Sequence, residues 1–377
     1  MVDLAFTDEQ EQLRRAVRDL VRDRSSEDEV RQLMATVDGF DPATWAAISD
    51  MGLVGLAVPE ALGGAGGTTV DVGVVLEELG RALACTPYFS TAVLAVNALL
   101  LSDDPTAQAA YLPQLASGAL RGTLATLETG GAWESPADAT TARRDGDSYR
   151  VTGHKTHVLD GHTADLILVA ARLDGAVTLL AVTGDGEGVT RRALTTMDET
   201  RKLAVVELDD APAVLVGRPG DGGRVVARTL ELAAVGLAAE QVGGAQQVLD
   251  MAVEYAKTRV QFGRPIGSFQ AIKHKCADML VEVESARSAA YYAQAAAAAG
   301  ETELPMLASV AKAYCSDAYV HVAAENIQIH GGIGFTWEHP AHLYLKRAKS
   351  SQLMFGDPAH HRARVAELIG AATVRPA

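Results

Sequence analysis

Two stretches in the last third of the chain decide how the sequence is interpreted: RVQFGRPIGSFQAIKH, from Arg259 to His274, and QIHGGIGFTWEHP, from Gln328 to Pro340. They combine an arginine, a glutamine and a glycine cluster, which could hold a bulky anionic cofactor. A guanidinium meets a pyrophosphate with a planar fork of donors, and glycines let backbone N–H groups approach phosphate and ring edges closely. The second stretch also places a carboxylate, Glu338, just after a flexible glycine turn.

Length and composition indicate a globular chain that is too large for one simple core. It has 377 residues, 48% of them apolar, which argues against global disorder and for a few subdomains. The net charge of −15 argues against a nucleic-acid surface, because neutralising phosphates requires clustered Lys and Arg. An acidic surface that keeps a cytosolic protein soluble explains the same charge.

Cysteine usage and hydropathy bear on the compartment. Cys85, Cys276 and Cys315 are odd in number and widely spaced, so they form no disulfide or metal pattern and indicate a reducing environment. The N-terminus MVDLAFTDEQEQLRR lacks the long apolar run of a signal peptide. No stretch reaches the roughly 18 apolar residues of a membrane span. We therefore expect a cytoplasmic protein with neither a membrane span nor a nucleic-acid partner.

The order of periodic segments predicts helices, then strands, then helices. Helical periodicity covers residues 7–36, with Thr7 as a candidate N-cap, and returns at 42–51 and 70–117. Between residue 123 and about 217, short β-rich runs alternate with turn residues, which is typical of an antiparallel barrel or sandwich. The runs are SYRVTGHKTHVL, ADLILVAAR, VTLLAV, KLAVVEL and AVLVG.

Three long helices are predicted after the β-rich part, at residues 225–259, about 270–299 and 305–330. The first is rich in alanine. An alanine run at 295–299 fits a helix better than a linker.

This order, together with the two stretches, resembles the acyl-CoA dehydrogenase family over essentially the whole chain. A lone GGIG would mean little, but RVQFGRPIGSFQ and HGGIGFTWEHP are long and in the right order. The resemblance implies an α+β multidomain fold. We place an N-terminal helical domain at residues 1–120, a middle antiparallel β-barrel or sandwich at 121–217 and a C-terminal four-helix bundle at 218–377. The implied enzyme is an FAD-dependent oxidoreductase of lipid β-oxidation that removes two hydrogens from an acyl thioester.

The resemblance also assigns residues to the cofactor. In the family, the flavin diphosphate and adenine are held across a subunit boundary. The matching positions in this chain are Arg259, Phe262, Gln270, Gln328, Gly331 and Gly332. Taken separately, these residues have a simpler explanation: a surface arginine in the last turn of a helix, and glycines that only end a helix. The presence of both stretches favours the cofactor site.

Glu338 matches the position that the resemblance implies for the catalytic base. The α-hydrogen of a thioester is a weak acid, so a carboxylate must take it while the β-hydrogen leaves as hydride to the flavin. A carboxylate in an apolar pocket is more basic than in water, and Ile333, Phe335 and Trp337 would supply apolar neighbours. A solvated loop glutamate is the alternative interpretation.

A rival base lies on the long helix that opens the C-terminal part. Some branches of the family carry the base there, but the matching position is Ala233, which cannot serve. Glu240 lies two helical turns later on the same face, inside an apolar run where a bare carboxylate is expensive. Glu231 is a weaker candidate. We rank Glu338 first and Glu240 second.

Several segments depart from the family pattern. The flavin-facing loop reads LETGGAWESPAD, from Leu127 to Asp138, and keeps Glu128 and the glycines but not the usual Pro and Ser-Asp. The turn that usually reads Trp-Ile-Thr-Asn-Gly in the family reads His-Val-Leu-Asp-Gly here, from His157 to Gly161. Leu159 cannot donate a side-chain hydrogen bond to the flavin. The Glu-Gly-Thr turn near the end reads Phe355-Gly356-Asp357. Divergent bacterial members that act on steroid side-chain thioesters show similar changes.

Histidines and basic residues have plain alternatives. His330 could contact flavin or phosphate, but a helix-end histidine satisfied by the backbone explains it equally well. Lys346, Arg347 and Lys349 could meet a CoA phosphate, but a solvated basic helix face explains them better. No metal site is expected, because no His-Glu-x-x-His pattern is formed by His339, His342, His360 and His361.

Three functional hypotheses follow. The first is an FAD-dependent acyl-CoA dehydrogenase that forms a homo-oligomer, a dimer or tetramer, and passes electrons to an electron-transfer flavoprotein. The second is a non-catalytic, flavin-sharing subunit of an α2β2 assembly with a paralogue. The third is a flavoprotein of the same fold that acts on a non-CoA substrate, such as an oxidase or a carrier-protein-linked dehydrogenase. The acyl chain is not specified by the sequence.

Overall fold

A computed structural model describes residues 5–131, 133, 136–146 and 148–371. The order of its elements confirms the coarse prediction, because helical segments precede and follow a β-rich segment. None of the described helices is both long enough and apolar enough to cross a membrane.

The chain folds into two compact units, and each is made of separate segments. One unit comprises residues 1–30, 69–84 and 234–377, and the other comprises residues 31–68 and 85–233. The helices are α1 Asp8–Arg24, α2 Glu27–Met34, α3 Pro42–Asp50, α4 Thr69–Arg81, α5 Val96–Leu100, α6 Pro105–Ala116, α7 Gly222–Thr258, α8 Gln270–Ala299, α9 Leu304–His330, α10 Ala341–Leu353 and α11 Pro358–Leu368. The strands are β1 Gly122–Ala125, β2 Thr141–Asp145, β3 Ser148–Leu159, β4 Leu166–Leu173, β5 Ala176–Thr183, β6 Val189–Ala193, β7 Leu203–Val216, β8 Val260–Gln261 and β9 Arg264–Pro265.

The helix predicted at residues 7–36 is two helices, α1 and α2. Thr7 caps α1 as predicted: its hydroxyl accepts a hydrogen bond from the Gln10 amide at 3.2 Å, and Gln10 Oε1 accepts one from the Thr7 amide at 3.1 Å. Ser26 and Glu29 form the same reciprocal pattern, with Glu29 Oε2 accepting from the Ser26 amide at 2.8 Å. This second capping box starts a new helix where one continuous helix was predicted.

The stretch predicted as helical at residues 70–117 is interrupted. It contains α4, α5 and α6, and α5 is preceded by a fully buried π-helix at Phe89–Ala95. Asp104 caps α6 by accepting hydrogen bonds from the amides of Thr106 at 3.0 Å and Ala107 at 3.1 Å. Helical periodicity was therefore correct here, but it did not reveal the break.

The β-rich segment forms a barrel, but the barrel is not purely antiparallel as predicted. β4, β2, β3, β7 and β5 pair in a closed circle, with β1 joined to β4 and β6 joined to β7. Both β1 and β2 pair with β4 in parallel, whereas the other pairs among these seven strands are antiparallel. Long connections explain the parallel pairs, because the chain between β1 and β4 is long enough to return in the same direction.

One apolar cluster joins the strands of this barrel. Side chains alternate between buried and exposed along β7, as expected for a strand with one face in a core. The cluster includes the fully buried Val151, Ile167, Val169, Leu180 and Val206. β4 is buried along nearly its whole length, which agrees with its pairing to three other strands, β1, β2 and β5.

The long C-terminal helices lie close to their predicted positions. α8 has the predicted bounds, and α7 and α9 begin slightly earlier than predicted. α9 packs against α8, α10 and α11. The described helices after residue 217 therefore include one more than the predicted four-helix bundle, because α10 and α11 are separated by a turn at residues 354–357.

Candidate active site

A stack of rings joins the two stretches that opened the sequence analysis. Tyr255, one helical turn before Arg259, stacks on His330, which immediately precedes Gly331. The ring centroids are 4.2 Å apart with an interplanar angle of 25°. The centroid of the His330 ring also lies 4.2 Å from that of the His339 ring, with an interplanar angle of 43°. The structure therefore brings the Arg259 segment and the glycine segment together, as the prediction of a joint cofactor site requires.

The segment after α7 is a short hairpin. β8 and β9 pair through a turn in which Phe262 and Gly263 both have positive φ, 54° and 76°. Two successive positive φ values define the tight turn that matches the twist of paired strands. The Phe262 side chain is 90% exposed, and Arg264 packs over the Phe269 ring at 4.1 Å.

The residues assigned to the cofactor share one property: all of them are exposed in the single chain. They are Arg259, Phe262, Gln270, Gln328, Gly331 and Gly332. Gly331 has φ 62° and ψ −138°, a conformation that L side chains avoid. A side chain added at Gly331 or Gly332 would project into open space. Backbone donors, an arginine and amides are thus accessible to a ligand at this end of the unit.

Glu338 lies in the turn after the glycines and is exposed in the single chain. Its predicted apolar neighbours do not enclose it. Phe335 is 81% and Trp337 61% exposed, and Lys346 lies over the Trp337 ring at 4.6 Å. The apolar pocket that would make Glu338 more basic is therefore not formed by this chain alone.

Glu240 has the opposite environment. It is buried in α7, and its carboxylate accepts a hydrogen bond from Arg347 of α10 at 2.9 Å, where the arginine is buried as well. The solvated basic helix face predicted for Arg347 is thus wrong, because an ion pair holds the guanidinium inside the unit. Sequence spacing gave no sign of this pair, since 107 residues separate its members.

Glu231, the third carboxylate considered, is engaged near the start of the same helix. Its carboxylate accepts a hydrogen bond from Arg228, one turn earlier, at 3.0 Å. Among the described residues, no three His, Cys, Asp or Glu side chains lie close enough together to hold a metal ion.

In the barrel unit, a buried ion pair organises the loop that departs from the family pattern. Lys155 Nζ donates to Glu128 Oε1 at 2.7 Å and to the carbonyls of Thr126 and Pro136. Burial opposes ionisation of Glu128, but hydrogen bonds from Lys155, Thr140 and the Ala139 amide outweigh it and lower its pKa to about 2. Parts of the loop, residues 132, 134 and 135, lie outside the described residues.

The turn from His157 to Gly161 has a strained backbone. His157 and Asp160 have positive φ values of 52° and 51°, which are unusual for residues other than glycine. The pairing of β3 with β7 is irregular between Lys155 and Val158, so a bulge turns His157 outward. Ser90 of the π-helix donates to Asp160 at 2.7 Å and helps to hold the turn. Leu159 is buried.

The turn at residues 354–357 is held by a buried lysine that the sequence gave no reason to single out. Lys312 Nζ donates to Ser316 Oγ at 3.0 Å and to the carbonyls of Gln352 and Gly356 at 3.2 and 3.0 Å. Phe355 and Gly356 have φ values of 59° and 100°, and a side chain added at Gly356 would clash with a nearby histidine ring. A glycine is therefore required by the packing of this turn.

Comparison with known proteins identifies the family. Residues 220–370 match the family model for the acyl-CoA dehydrogenase C-terminal domain, and residues 7–119 match the model for the N-terminal domain. The chain belongs to the acyl-CoA dehydrogenase family. As an acyl-CoA dehydrogenase it is an oxidoreductase, and its relatives carry that name.

Similar proteins cover this acyl-CoA dehydrogenase almost from end to end. It is 38% identical to acyl-CoA dehydrogenase IpdE2 of Mycobacterium tuberculosis over 93% of this chain and 94% of the relative. A solved variant of the Tcur3481-Tcur3483 steroid ACAD has a TM-score of 0.88 and 31% identity over 98% of this chain and 99% of that chain. The ChsE4-ChsE5 complex of Mycobacterium tuberculosis has a TM-score of 0.88 and 30% identity over 100% of both chains.

Proposed function

We propose that this acyl-CoA dehydrogenase uses FAD to convert an acyl-CoA thioester to the trans-2-enoyl-CoA and passes the electrons to an electron-transfer flavoprotein. The observation that carries the proposal is the junction at Tyr255 and His330. Through it, Arg259 and the Gly331–Gly332 backbone are presented at one end of the same unit. The proposed setting is acyl-chain oxidation in the cytoplasm.

The residues at this end fit a dinucleotide. Arg259 would pair with the diphosphate, and the open glycine backbone would donate N–H groups to phosphate or ring edges. Gln270 and Gln328 would supply amide hydrogen bonds, and Phe262 an apolar surface. When bound, FAD would accept the hydride from the β-carbon. The exposure of all these groups in one chain supports a site that a second chain completes, in a dimer or tetramer.

Glu338 is the proposed base for the α-proton. Its carboxylate is not hydrogen-bonded to any described residue, so it is available to a substrate, whereas the Glu240 carboxylate already binds Arg347. The proposal requires a covering surface, because a carboxylate gains basicity when water is excluded. A second chain over Phe335 and Trp337 would bury this turn and give Glu338 that environment.

Replacing Glu338 tests the assignment. Glu338→Gln keeps the shape of the side chain and removes its ability to take a proton. A general base contributes about 10²–10⁴-fold in rate, so flavin reduction by a suitable acyl-CoA should slow by that factor in stopped-flow absorbance while FAD stays bound.

Glu240→Gln is the matched control, because it replaces a carboxylate of the same unit and keeps an acceptor for Arg347. If Glu240→Gln slows reduction and Glu338→Gln does not, the base is on α7. Unchanged rates of flavin reduction in both variants would show that another group takes the α-proton.

A second candidate function is the supporting subunit of a two-chain enzyme. Three observations favour it: Glu338 is exposed, Glu240 is ion-paired, and Leu159 is buried in the turn from His157 to Gly161, which differs from the family pattern. Two similar structures are named for two proteins each, Tcur3481-Tcur3483 and ChsE4-ChsE5. By analogy, this chain would bind an acyl-CoA dehydrogenase paralogue and lend Arg259 and the glycines to a shared FAD.

The same kinetic assay separates the two candidates. A supporting subunit would be inert with every thioester until the paralogue is added, and Glu338→Gln would leave the rate of the mixture unchanged. A catalytic subunit would reduce its flavin without the paralogue, or would lose activity in the mixture when Glu338 is replaced.

A further inference from the structure

Helices α7 and α9 run side by side in the same direction with a constant register. Three pairs of residues in contact are each separated by 75 positions: Gln241–Ser316, Gly244–Tyr319 and Tyr255–His330. The Gln241 side chain donates to Ser316 Oγ at 3.0 Å, and a Cβ added at Gly244 would lie 2.5 Å from the Tyr319 ring. A separation that stays constant over four helical turns shows that the two helices are parallel neighbours.

Asn326 lies on the side of α9 that faces α7. The contacting α9 positions are 316, 319 and 330, and steps of four and three residues between them add 323 and 326 to the same side. The separation of 75 positions puts Asn326 at the level of Met251 on α7. Residues near this level on both helices are apolar and fully buried: Val248, Ala252, Val322 and Ala323. The Asn326 amide is therefore a polar group in an apolar part of the seam between α7 and α9.

Neither polar atom of the Asn326 side chain is satisfied by the protein. The residue is fully buried, and Nδ2 and Oδ1 have no hydrogen-bond partner among the described residues. A rotation of the amide by half a turn exchanges the two atoms, but it gives a partner to neither of them. Burying an unpaired amide is strongly unfavourable, and such groups are uncommon in folded proteins. A bound ligand that pairs with both atoms would remove this cost.

We propose that the seam between α7 and α9 contains an internal water site, in which the Asn326 amide binds at least one water molecule. Nδ2 of Asn326 donates to this water, and Oδ1 accepts from it or from a second one. The site is independent of the proposed use of FAD, so each of the two proposals can fail without the other.

The chemistry of the two unpaired atoms selects water as the ligand. The amide nitrogen donates and the amide oxygen accepts, so the ligand must do both. A metal cation would bind only the oxygen and an anion only the nitrogen, and either charge would be costly in an apolar part of the seam. Water both donates and accepts, and a buried water typically makes about three hydrogen bonds. Backbone carbonyls of the two helices have a second lone pair, which can accept its remaining proton.

A crystal structure of the unmodified protein, at a resolution that shows ordered water, tests the site directly. We expect electron density for water within about 2.7–3.2 Å of both Nδ2 and Oδ1 of Asn326. The proposal is wrong if no water lies within that distance of either atom. It is also wrong if the side chain adopts another rotamer in which protein groups satisfy both atoms.

A substitution tests the same site in solution. Asn326→Leu keeps a branched side chain of similar size but removes both polar atoms. Magnetic relaxation dispersion of the solvent counts long-lived internal water molecules, and the count should fall by about one per chain in this variant. Asn97→Leu is the matched control, because the amide of this half-buried helical asparagine already donates to the Val93 carbonyl at 2.8 Å. Its count of internal waters should equal that of the unmodified protein.

Circular dichroism checks that both variants are folded, and the crystal structure of the unmodified protein decides the question if Asn326→Leu does not fold. An unchanged water count in a folded Asn326→Leu variant would overturn the proposal. Equal losses in Asn326→Leu and Asn97→Leu would overturn it as well, because the lost water would then not belong to Asn326.

Discussion

At the scale of single residues, the ion pair between Glu240 and Arg347 limits what α7 can contribute to chemistry. Both side chains are buried, and the N–O distance is 2.9 Å. Removing one partner of such a pair leaves an uncompensated charge in a low-dielectric interior, whereas removing both can be nearly neutral. The pair therefore has a structural role, which joins α7 to α10.

We expect Glu240→Leu and Arg347→Met each to lower the free energy of unfolding by about 3–5 kcal/mol. The double variant should recover most of that loss, because neither charge remains unpaired. Denaturant unfolding of the three variants and the unmodified protein measures the coupling. A double variant whose loss equals the sum of the single losses would show that the two side chains act independently.

The same scale shows why some site residues could be predicted and others could not. Arg259 and the Gly331–Gly332 pair belong to contiguous stretches, so their joint pattern was visible in the sequence. The partner of Glu240 lies 107 residues away, and no periodicity connects the two positions. The burial of side chains near Glu338 could not be predicted from the sequence either. Ile333, Phe335 and Trp337 were expected to enclose Glu338, but they are exposed in the single chain.

At the scale of elements, the Lys155–Glu128 pair links β3 to the loop that follows β1. Lys155 is fully buried, and its ammonium also binds two carbonyls of the loop. Glu128 in turn accepts from the amides of Ala139 and Thr140 at 2.6 and 3.0 Å, just before β2. One carboxylate thus connects two ends of the loop to the barrel.

Lys155→Met should destabilise the protein by about 3–5 kcal/mol at neutral pH, because Glu128 would remain as a buried, unpaired charge. The folded pKa of Glu128 is lowered from 4.5 to about 2. The stabilisation is therefore fully present above pH 4.5 and is lost as the pH falls towards 2. The stability difference between the two proteins should shrink over that range in urea titrations at several pH values. A difference that stays constant would show that the pair does not act through this ionisation.

Strand boundaries illustrate the limit of local patterns at this scale. KLAVVEL and AVLVG were predicted as separate strands, with Asp-Asp-Ala-Pro between them. The structure has one strand, β7, in which Asp210 adopts a φ of 51° and the pairing with β3 is irregular. Arg143, a residue of β2, binds the Asp210 carboxylate at 2.7 Å at this irregularity. Sequence periodicity contains no information about that arginine.

At the scale of the whole molecule, the order of helices, barrel and helices was predictable, because each segment has a strong period of its own. The parallel pairing of β1 and β2 with β4 was not, since it depends on how long connections return. The division into domains at residues 1–120, 121–217 and 218–377 stays a prediction beside the two compact units of the structure. Within one unit, Phe262, Phe335 and Trp337 are exposed apolar side chains, and the proposed second chain would cover Phe335 and Trp337.

The most direct test of the central claim is anaerobic titration of the purified, FAD-loaded protein with a panel of acyl-CoA thioesters, alone and with candidate paralogue chains. The oxidised-flavin absorption band is followed after each addition. If the protein is an FAD-dependent acyl-CoA dehydrogenase, at least one thioester will bleach the band within the time of mixing, and an enoyl-CoA will accumulate in proportion. A flavin that no thioester bleaches in any assembly, or a protein that takes up no FAD, would contradict the account.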